Sequence, residues 1–358
     1  MKIDHLTMTL FRNIMHARVN FSPHLTLLVG DNGQGKTNTL EAIYVLLTGT
    51  SFRSPKDQEQ MMTFPAENAD EFPVTSLEGV VHRNGDGILK ISHRMSRHPV
   101  KKQHNGPVLP VVIFSPDDVQ LSKGTPQGRR KFLDWLLAPM DVRYLRLFRQ
   151  YHRALLQRNK ALKDPRLHQV VSTFNPLLAQ AGSYLWSSRI RILAEVVPLA
   201  QNIFTELTGL TLDISLAPGG TQNPATDPET YQKLLSEREH DEQLRGMTLI
   251  GPHRDELVFS INGFSALAYA SQGQHRSIAL AMKLASFEVL ERETGMTPVV
   301  LLDDVLSELD PDKRSKLLRF IAQSRPQTII TDTEARNYEN LDPIIYDISQ
   351  GCLTKREI

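Results

Sequence analysis

The sequence contains a single cysteine, Cys352, among its 358 residues. One thiol excludes an internal disulfide, a cysteine-based zinc site and a dithiol redox pair, and it fits a reducing cytoplasm. No run of 18 apolar residues occurs, so we expect no membrane-spanning helix. The opening residues, MKIDHLTMTLFRN, lack the apolar core of a secretory signal, and we therefore expect a cytoplasmic protein.

A surplus of positive charge is also missing. The chain has 41 Lys and Arg residues against 40 Asp and Glu residues, which gives a formal net charge of +1. This balance argues against a protein that is basic over its whole surface, such as a histone-like packing protein, but it is compatible with a local basic face. The length indicates about two domains at roughly 150 residues each.

Short apolar runs and helical patterns alternate at both ends of the chain, whereas the middle is mainly helical. This order predicts an α/β protein in which a helical segment is inserted into a βα domain. Helical breaks are predicted at Asp164-Pro165, Pro176 and Pro198, and a loop is predicted over residues 217–229. The predicted strands are 3–10, 16–21, 25–29, 74–81, 88–93, 111–114, 299–302 and 328–331, and the first predicted helix is 36–47.

Residues 30–37, GDNGQGKT, match the phosphate-loop pattern G-x-x-x-x-G-K-[ST] between a predicted strand and a predicted helix. Glycines allow backbone amides to surround phosphate oxygens, Lys36 reaches the β- and γ-phosphates, and the Thr37 hydroxyl can ligate Mg²⁺. The motif therefore predicts a nucleotide site, the alternative being a glycine-rich turn that caps an ordinary helix. The predicted ligands are Gly30, Asp31, Asn32, Gly33, Gln34, Gly35, Lys36 and Thr37.

Two acids, Asp303 and Asp304, follow the apolar run Val299–Leu302. A phosphate loop requires a carboxylate on a neighbouring strand, and Asp303 is expected to hold Mg²⁺ together with Thr37. Asp304 is expected to orient or deprotonate water beside the γ-phosphate. We therefore predict Lys36, Asp303 and Asp304 as catalytic residues, the alternative being two solvated acids at the end of a strand.

Three further segments indicate the class of ATPase. Residues 271–274, SQGQ, precede a helical run and resemble the signature motif of ABC-type ATPases, whose serine and glycine contact the γ-phosphate bound by the opposite subunit. By this resemblance Ser271, Gly273 and Gln274 are nucleotide ligands. Residues 307–310, SELD, resemble the D-loop of the same class. Phe11-Arg12-Asn13 resembles the arginine segment of chromosome-maintenance ATPases, and by this resemblance Arg12 is a further nucleotide ligand. Taken singly, each segment is equally a helix cap or turn.

A closer resemblance extends over essentially residues 1–358. It rests on Phe52-Arg53 and on the segments 114–118 (FSPDD), 129–134 (RRKFLD), 251–255 (GPHRD) and 271–274. Together these segments resemble the RecF family of bacterial DNA replication and repair proteins. The resemblance implies a P-loop NTPase fold of the ABC/SMC type, with a head lobe and a helical second lobe. Its domains would be 1–114 and 246–358 for the ATPase lobe and 115–245 for the helical insert.

The same resemblance implies a function in recombinational DNA repair and replication restart. Members of the family bind ATP with Mg²⁺, dimerise around it, act as a clamp or mediator on double-stranded DNA near gaps, and hydrolyse ATP weakly under DNA stimulation. RecO and RecR are the implied partners, and loading of RecA and the SOS response are the implied processes. Asp304 stands where a glutamate is commoner in ABC ATPases, and its shorter side chain predicts slow hydrolysis.

A basic strip marks the helical insert. Between Val142 and Lys163 there are seven basic residues and no acid. Four of them follow three- and four-residue steps, share one helix face and are the predicted DNA contacts: Arg143, Arg146, Arg149 and Arg153. Such a strip neutralises phosphates without reading bases, and a solvated helix face is the alternative. The interleaved aromatics Tyr144, Phe148 and Tyr151 are interpreted as core packing, with base stacking as the alternative. His253 and Arg254 are interpreted as structural or lobe-coupling residues, with a catalytic role as the alternative. Lys101-Lys102, in a predicted loop, is a second, weaker DNA candidate.

Two other functions are compatible with parts of the sequence. An ATPase subunit of a membrane transporter would share the phosphate loop and the signature motif, but the large helical insert and the Phe-Arg-Asn opening argue against it. A purely structural SMC-like linker would require long heptad runs, which are missing.

Overall fold

The computed structural model describes residues 1–53, 57–61, 74–83, 85, 87–97, 99–335 and 342–357. The chain is mixed α/β and divides into two compact units. Unit 1 comprises residues 1–116 and 290–358, and unit 2 comprises residues 117–289. No helix in the described ranges combines the length and the apolar composition needed to cross a membrane.

Strands and helices are numbered here in chain order. The strands are β1 (Lys2–Phe11), β2 (Ile14–Asn20), β3 (Leu25–Val29), β4 (Thr75–His82), β5 (Ile88–Arg97), β6 (Val100–Asn105), β7 (Val111–Phe114), β8 (Leu212–Ala217), β9 (Glu256–Ile261), β10 (Phe264–Ser265), β11 (Val299–Asp303), β12 (Thr328–Asp332), β13 (Ile344–Ser349) and β14 (Cys352–Lys355). The helices are α1 (Lys36–Thr48), α2 (Gln120–Lys123), α3 (Pro126–Leu137), α4 (Val142–Lys163), α5 (Asn175–Thr208), α6 (Pro228–Glu237), α7 (Glu239–Arg245), α8 (Ala266–Tyr269), α9 (Gln272–Thr294), α10 (Val305–Glu308) and α11 (Pro311–Ser324).

The main sheet of unit 1 has six strands in the order β14-β13-β3-β12-β11-β7. The five strands from β13 to β7 run parallel, and β14 pairs antiparallel with β13 at the edge. Strands β3, β7 and β11 are buried along their whole length, as their continuous apolar sequences predict. In a parallel sheet the carboxyl ends of the strands meet at one edge, which places the ends of β3, β11 and β12 together.

A second sheet of unit 1 is antiparallel, in the order β2-β1-β4-β5-β6. The predicted strands 74–81 and 88–93 correspond to β4 and to the first part of β5. Strand β6 was not predicted, because most of its residues are exposed and its sequence, VKKQHN, has no apolar alternation. Lys101 and Lys102 lie on this exposed edge strand rather than in a loop.

Unit 2 combines helices with a three-stranded sheet in the order β10-β9-β8. Helix α4 ends before Pro165, and Pro176 lies in the first turn of α5, as predicted. The predicted break at Pro198 is wrong, since α5 continues through it. Pro198 is exposed while Val196 and Ala200 are buried, so the helix loses one hydrogen bond on its solvent side and keeps its packed face.

The compact units differ from the predicted domains in residues 246–289. These residues were assigned with the C-terminal part of the ATPase lobe, yet they lie in unit 2. The reason is strand pairing: β9 pairs antiparallel with β8, whose residues belong to the predicted insert. Helix α9 consequently begins in unit 2, whereas β11 and the acids that follow it lie in unit 1.

Candidate functional site

The phosphate loop connects the buried end of β3 to the start of α1. Two other turns of unit 1 hold it. The Asn13 side-chain amide donates to the Gln34 carbonyl oxygen at 3.1 Å, and the Gly351 amide donates to the same oxygen at 2.9 Å. Gly30 passes so close to the carbonyl oxygen of Ile348 that a Cβ at this position would overlap it, which explains the glycine.

Lys36 begins α1, and its ammonium group donates to the carbonyl oxygens of Gly30 and Asp31, the latter at 3.1 Å. The lysine is buried beside the loop. Gly35 occupies the N-cap position of α1 and supplies no side-chain cap, so no side chain competes for the first amides of the helix. Free helix-terminal amides beside a lysine are the arrangement that binds phosphate oxygens in phosphate-loop proteins.

Asp303 and Thr37 lie together, as the sequence predicts. The Thr37 hydroxyl donates to Asp303 Oδ1 at 2.8 Å, and the Thr331 hydroxyl donates to the same oxygen at 3.2 Å. Burial raises the pKa of the Asp303 carboxyl above its ordinary value, although the two hydroxyl hydrogen bonds and the positive charge of Arg53 act in the opposite direction. One hydroxyl and one carboxylate fit Mg²⁺, which prefers oxygen ligands, takes few from the protein and keeps the rest for phosphates and water.

Asp304 follows β11 and is exposed, in contrast to buried Asp303. Its amide donates to the Thr331 hydroxyl at 2.9 Å. The backbone of Asp304 is left-handed, with φ at 51°. Aspartate tolerates this conformation better than longer side chains do, because its short carboxylate can form local hydrogen bonds. This geometry gives a backbone reason for aspartate at a position where ABC ATPases commonly have glutamate.

Arg12 is held by a residue that the sequence interpretation missed. Glu41 lies in α1, is fully buried, and accepts hydrogen bonds from Arg12 Nη2 at 2.7 Å and Nε at 3.0 Å. Arg53 Nη1 lies 3.5 Å from the same carboxylate and donates to Asn38 at 2.9 Å. Glu41 thus fixes two arginines, of which Arg53 lies close enough to influence Asp303. The available signal was a single acid within the apolar pattern of α1.

The signature segment forms a capped and exposed helix start in unit 2. The Ser271 amide donates to Gln274 Oε1 at 2.8 Å, and the Gln274 amide donates to Ser271 Oγ at 3.2 Å, which together make a capping box. Ser271 and Gly273 are exposed. The next residue, His275, is buried and bonds Ser122 Oγ at 2.8 Å, so the start of α9 is anchored within its own unit. In the D-loop segment, Asp310 caps α11.

The four arginines predicted to contact DNA are all exposed on α4. Arg143 lies over the ring of Tyr184 at 4.3 Å. Tyr144 and Tyr151 are fully buried, which confirms that they pack in the core. Arg158, counted in the sequence as one of seven basic residues of this segment, is fully buried and forms a salt bridge with Glu242 at 2.6 Å. It therefore belongs to the scaffold of unit 2 and not to a basic surface.

Comparison with known proteins adds to this geometry. Residues 2–352 match the family model described as the RecF/RecN/SMC N terminal domain. The chain is 36% identical over 346 residues to the DNA replication and repair protein RecF of Symbiobacterium thermophilum, covering 93% of this chain and 92% of that protein. The chain belongs to the RecF family. The RecF protein of Staphylococcus aureus is 35% identical over 378 residues, which cover 99% of this chain and 100% of that one.

Solved structures support the same assignment of fold. A structure of the recombination mediator protein RecF-ATP in the RecFOR pathway matches with a TM-score of 0.87 and 28% identity, over 99% of this chain and 97% of that chain. The Smc head domain derived from Pyrococcus furiosus matches with a TM-score of 0.53 and 16% identity, over 99% and 96% of the two chains. The predicted ABC/SMC-type P-loop fold and the RecF family resemblance are therefore confirmed.

Proposed function

We propose that this RecF-family chain is an ATP-dependent DNA-binding protein of recombinational repair and replication restart. Two copies would hold two ATP molecules, each between the phosphate loop of one chain and Ser271–Gln274 of the other. The exposed capping box carries this proposal, because its serine and glycine are fixed by their own helix and presented outward. A second copy with a complete phosphate loop supplies the complementary surface.

In the proposed reaction each residue of unit 1 has a distinct task. The amides at the start of α1 and the Lys36 ammonium bind the β- and γ-phosphates. Thr37 and Asp303 hold Mg²⁺, which when bound neutralises charge on the transferred phosphoryl group. Asp304, exposed and one residue beyond Asp303, orients the attacking water. Its short side chain and fixed left-handed backbone support slow hydrolysis, which would act as a timer that opens the dimer.

The DNA partner is assigned to the strip formed by Arg143, Arg146, Arg149 and Arg153 on α4. Among the described residues, the last three of these form no salt bridge, so their charges are available to DNA phosphates. Double-stranded DNA with a gap or a single-strand junction is the proposed substrate. By the family relationship, we propose that the chain acts in the cytoplasm with RecO and RecR, supports RecA loading and contributes to the SOS response.

Light scattering with and without ATP and Mg²⁺ tests the dimer. The wild-type chain should double in mass with the nucleotide, and it should then shift gapped or duplex DNA in a gel more than single-stranded DNA. Gly273→Asp places a charge at the exposed signature turn and should keep nucleotide binding but remain monomeric. A wild-type chain that stays monomeric with ATP and Mg²⁺ would contradict the proposal.

A further inference from the structure

The motif Gly251–Asp255 is not among the residues assigned to the nucleotide site, and a buried network of unit 2 holds it in place. The Asp255 carboxylate is fully buried and accepts hydrogen bonds from Arg189 Nη1 at 2.7 Å and Trp186 Nε1 at 2.8 Å. It also accepts one from the Gly219 amide at 2.9 Å. Because a buried carboxylate is stable only with such partners, these contacts fix the end of the motif.

His253 fixes the middle of the motif. Its Nε2 lies 3.3 Å from the Thr248 carbonyl oxygen, which can only accept, so Nε2 carries the proton. Its Nδ1 then accepts a hydrogen bond from the Tyr151 hydroxyl at 2.7 Å. Burial lowers the pKa of His253 to about 3, which keeps the ring neutral. The residue between these two anchors, Arg254, is exposed.

Arg254 shares a hollow with two other arginines. Arg238 at the end of α6, Arg245 in the last turn of α7 and Arg254 line a hollow of about 400 Å³. Asp241 is the acid in its lining, and it pairs with Arg238 at 3.2 Å. Within the described chain neither Arg245 nor Arg254 forms a salt bridge, while Arg254 donates to the Thr248 carbonyl oxygen at 3.4 Å. Three guanidinium groups thus face one carboxylate.

Main chain forms the opposite wall of the hollow. Gly219 and Gly220 cross the segment 249–254 so closely that a Cβ on Gly219 would overlap Arg254, and one on Gly220 would overlap the Leu249 carbonyl oxygen. Gly220 also has a φ of +78°, which favours glycine. The chain therefore brings three arginines from three segments together around a fixed turn. Their mutual repulsion would be relieved by an oxyanion, and guanidinium forks match phosphate geometry.

We propose that Arg238, Arg245 and Arg254 form a phosphate-binding hollow on unit 2. It includes no residue of the phosphate loop, of the signature segment or of the α4 strip. The ligand is a phosphate group, supplied either by the DNA backbone or by a free phosphate. A DNA source would extend the proposed DNA-binding function, whereas a free-phosphate source is independent of it.

The test compares the double variant Arg245→Gln/Arg254→Gln with the control Arg166→Gln/Lys233→Gln. Both remove two charges from unit 2, and the control side chains are 88% and 79% exposed. Binding of a labelled duplex is measured by fluorescence anisotropy with ATP and Mg²⁺ over a range of salt concentrations. Each phosphate contact contributes about 0.9 to the slope of log K against log salt, so the hollow variant should lose about 1.8 of slope and about tenfold in affinity.

A second arm measures inorganic phosphate binding by calorimetry in a Lys36→Ala background, which removes the contribution of the phosphate loop. A smaller slope of log K against log salt for DNA binding in the hollow variant, but not in the control, identifies DNA as the source of the phosphate. Unchanged DNA binding with lost phosphate binding identifies free phosphate. No change in either arm, relative to the control, overturns the proposal. Should the double variant unfold, Arg245→Gln alone should show about half of the slope change, roughly 0.9.

Discussion

In unit 1, Lys36 follows β3 while Asp303 and Asp304 lie at the end of β11 in the same parallel sheet, whereas in unit 2 the arginines of a single helix are divided. Arg158 is fully buried against Glu242, and Arg146, one of the α4 strip, is exposed. The charges proposed to act on the nucleotide are thus concentrated at the carboxyl ends of the parallel strands in unit 1. In unit 2, one set of charges holds the scaffold and another faces solvent. Within unit 2, exposure rather than residue type therefore distinguishes the two sets, since both contain arginines of the same helix.

The largest expected effect is on nucleotide affinity, and it tests the role of Lys36 in unit 1. Lys36→Ala removes the ammonium group beside the phosphate loop, and nucleotide affinity should fall about 100-fold or more, because a charge-assisted contact to phosphate is lost in a buried site. Isothermal titration with ATP and Mg²⁺ measures this. Lys90→Ala, on the exposed side of β5, is the control and should bind normally. Equal affinity in the two variants would show that Lys36 does not act on phosphate.

The variant Asp304→Asn distinguishes a role in ATP hydrolysis from a role in nucleotide binding at the same end of the sheet. Asparagine keeps the left-handed backbone and the size but loses the negative charge, so ATP hydrolysis should fall about 100-fold while nucleotide affinity changes little. Steady-state phosphate release and titration with ATP give the two numbers. Asp303→Asn, in contrast, should weaken binding only when Mg²⁺ is present. Hydrolysis that survives in Asp304→Asn would remove this residue from the reaction.

The exposed arginines of the α4 strip in unit 2 should affect DNA binding without affecting the stability of the fold. Arg146→Gln/Arg149→Gln should lower affinity for duplex DNA about tenfold and reduce the salt slope by about 1.8, because two phosphate contacts are lost. Thermal unfolding should stay within about 1 °C of wild type, since exposed charges contribute little. Arg166→Gln/Lys233→Gln again serves as the control. A strip that is only a solvated helix face would leave the anisotropy titration unchanged.

The contacts that hold the scaffold of unit 2 should instead affect stability without affecting DNA binding, and His253 gives the smallest expected effect. Because the folded-state pKa of His253 is about 3, the unfolded chain takes up a proton below about pH 6.5 while the folded chain does not. Stability should therefore fall as the pH drops from 7 to 6, by roughly 0.7 kcal/mol more in wild type than in His253→Gln. Urea unfolding at both pH values measures this difference. The same loss in both chains would show that His253 is not held neutral in the folded chain.

Local patterns identified the phosphate loop, the strand acids and the first helix, because each is specified by neighbouring residues. The pairing of Thr37 with Asp303 also followed, since the carboxyl ends of parallel strands meet. Features that depend on contacts between residues far apart in the sequence could not be predicted in this way. Arg158 was counted with surface arginines because its partner Glu242 lies on another helix, and no local pattern indicated that α5 would continue through Pro198.

Glu41 illustrates the same limit within the site. An acid within an apolar helix pattern means either that the helix face assigned to the core is wrong or that the acid is buried with a charged partner. Here the second reading holds, because Arg12 and Arg53 from other segments pair with Glu41. The sequence therefore predicted the residues that touch phosphate better than those that position arginines near it.

The contact between Gln34 and Gln350 has a consequence for synthesis on the ribosome. The Gln350 amide donates to Gln34 Oε1 at 2.7 Å across 316 residues of chain, and β3 lies between β12 and β13. Domains emerge N-terminal end first, at about 5–20 residues per second. The phosphate loop is translated early, soon after Asn13, but it gains its neighbours from residues 328–351 only when these have left the exit tunnel. A nascent chain therefore lacks a formed nucleotide site for most of its translation and acquires it in one late step.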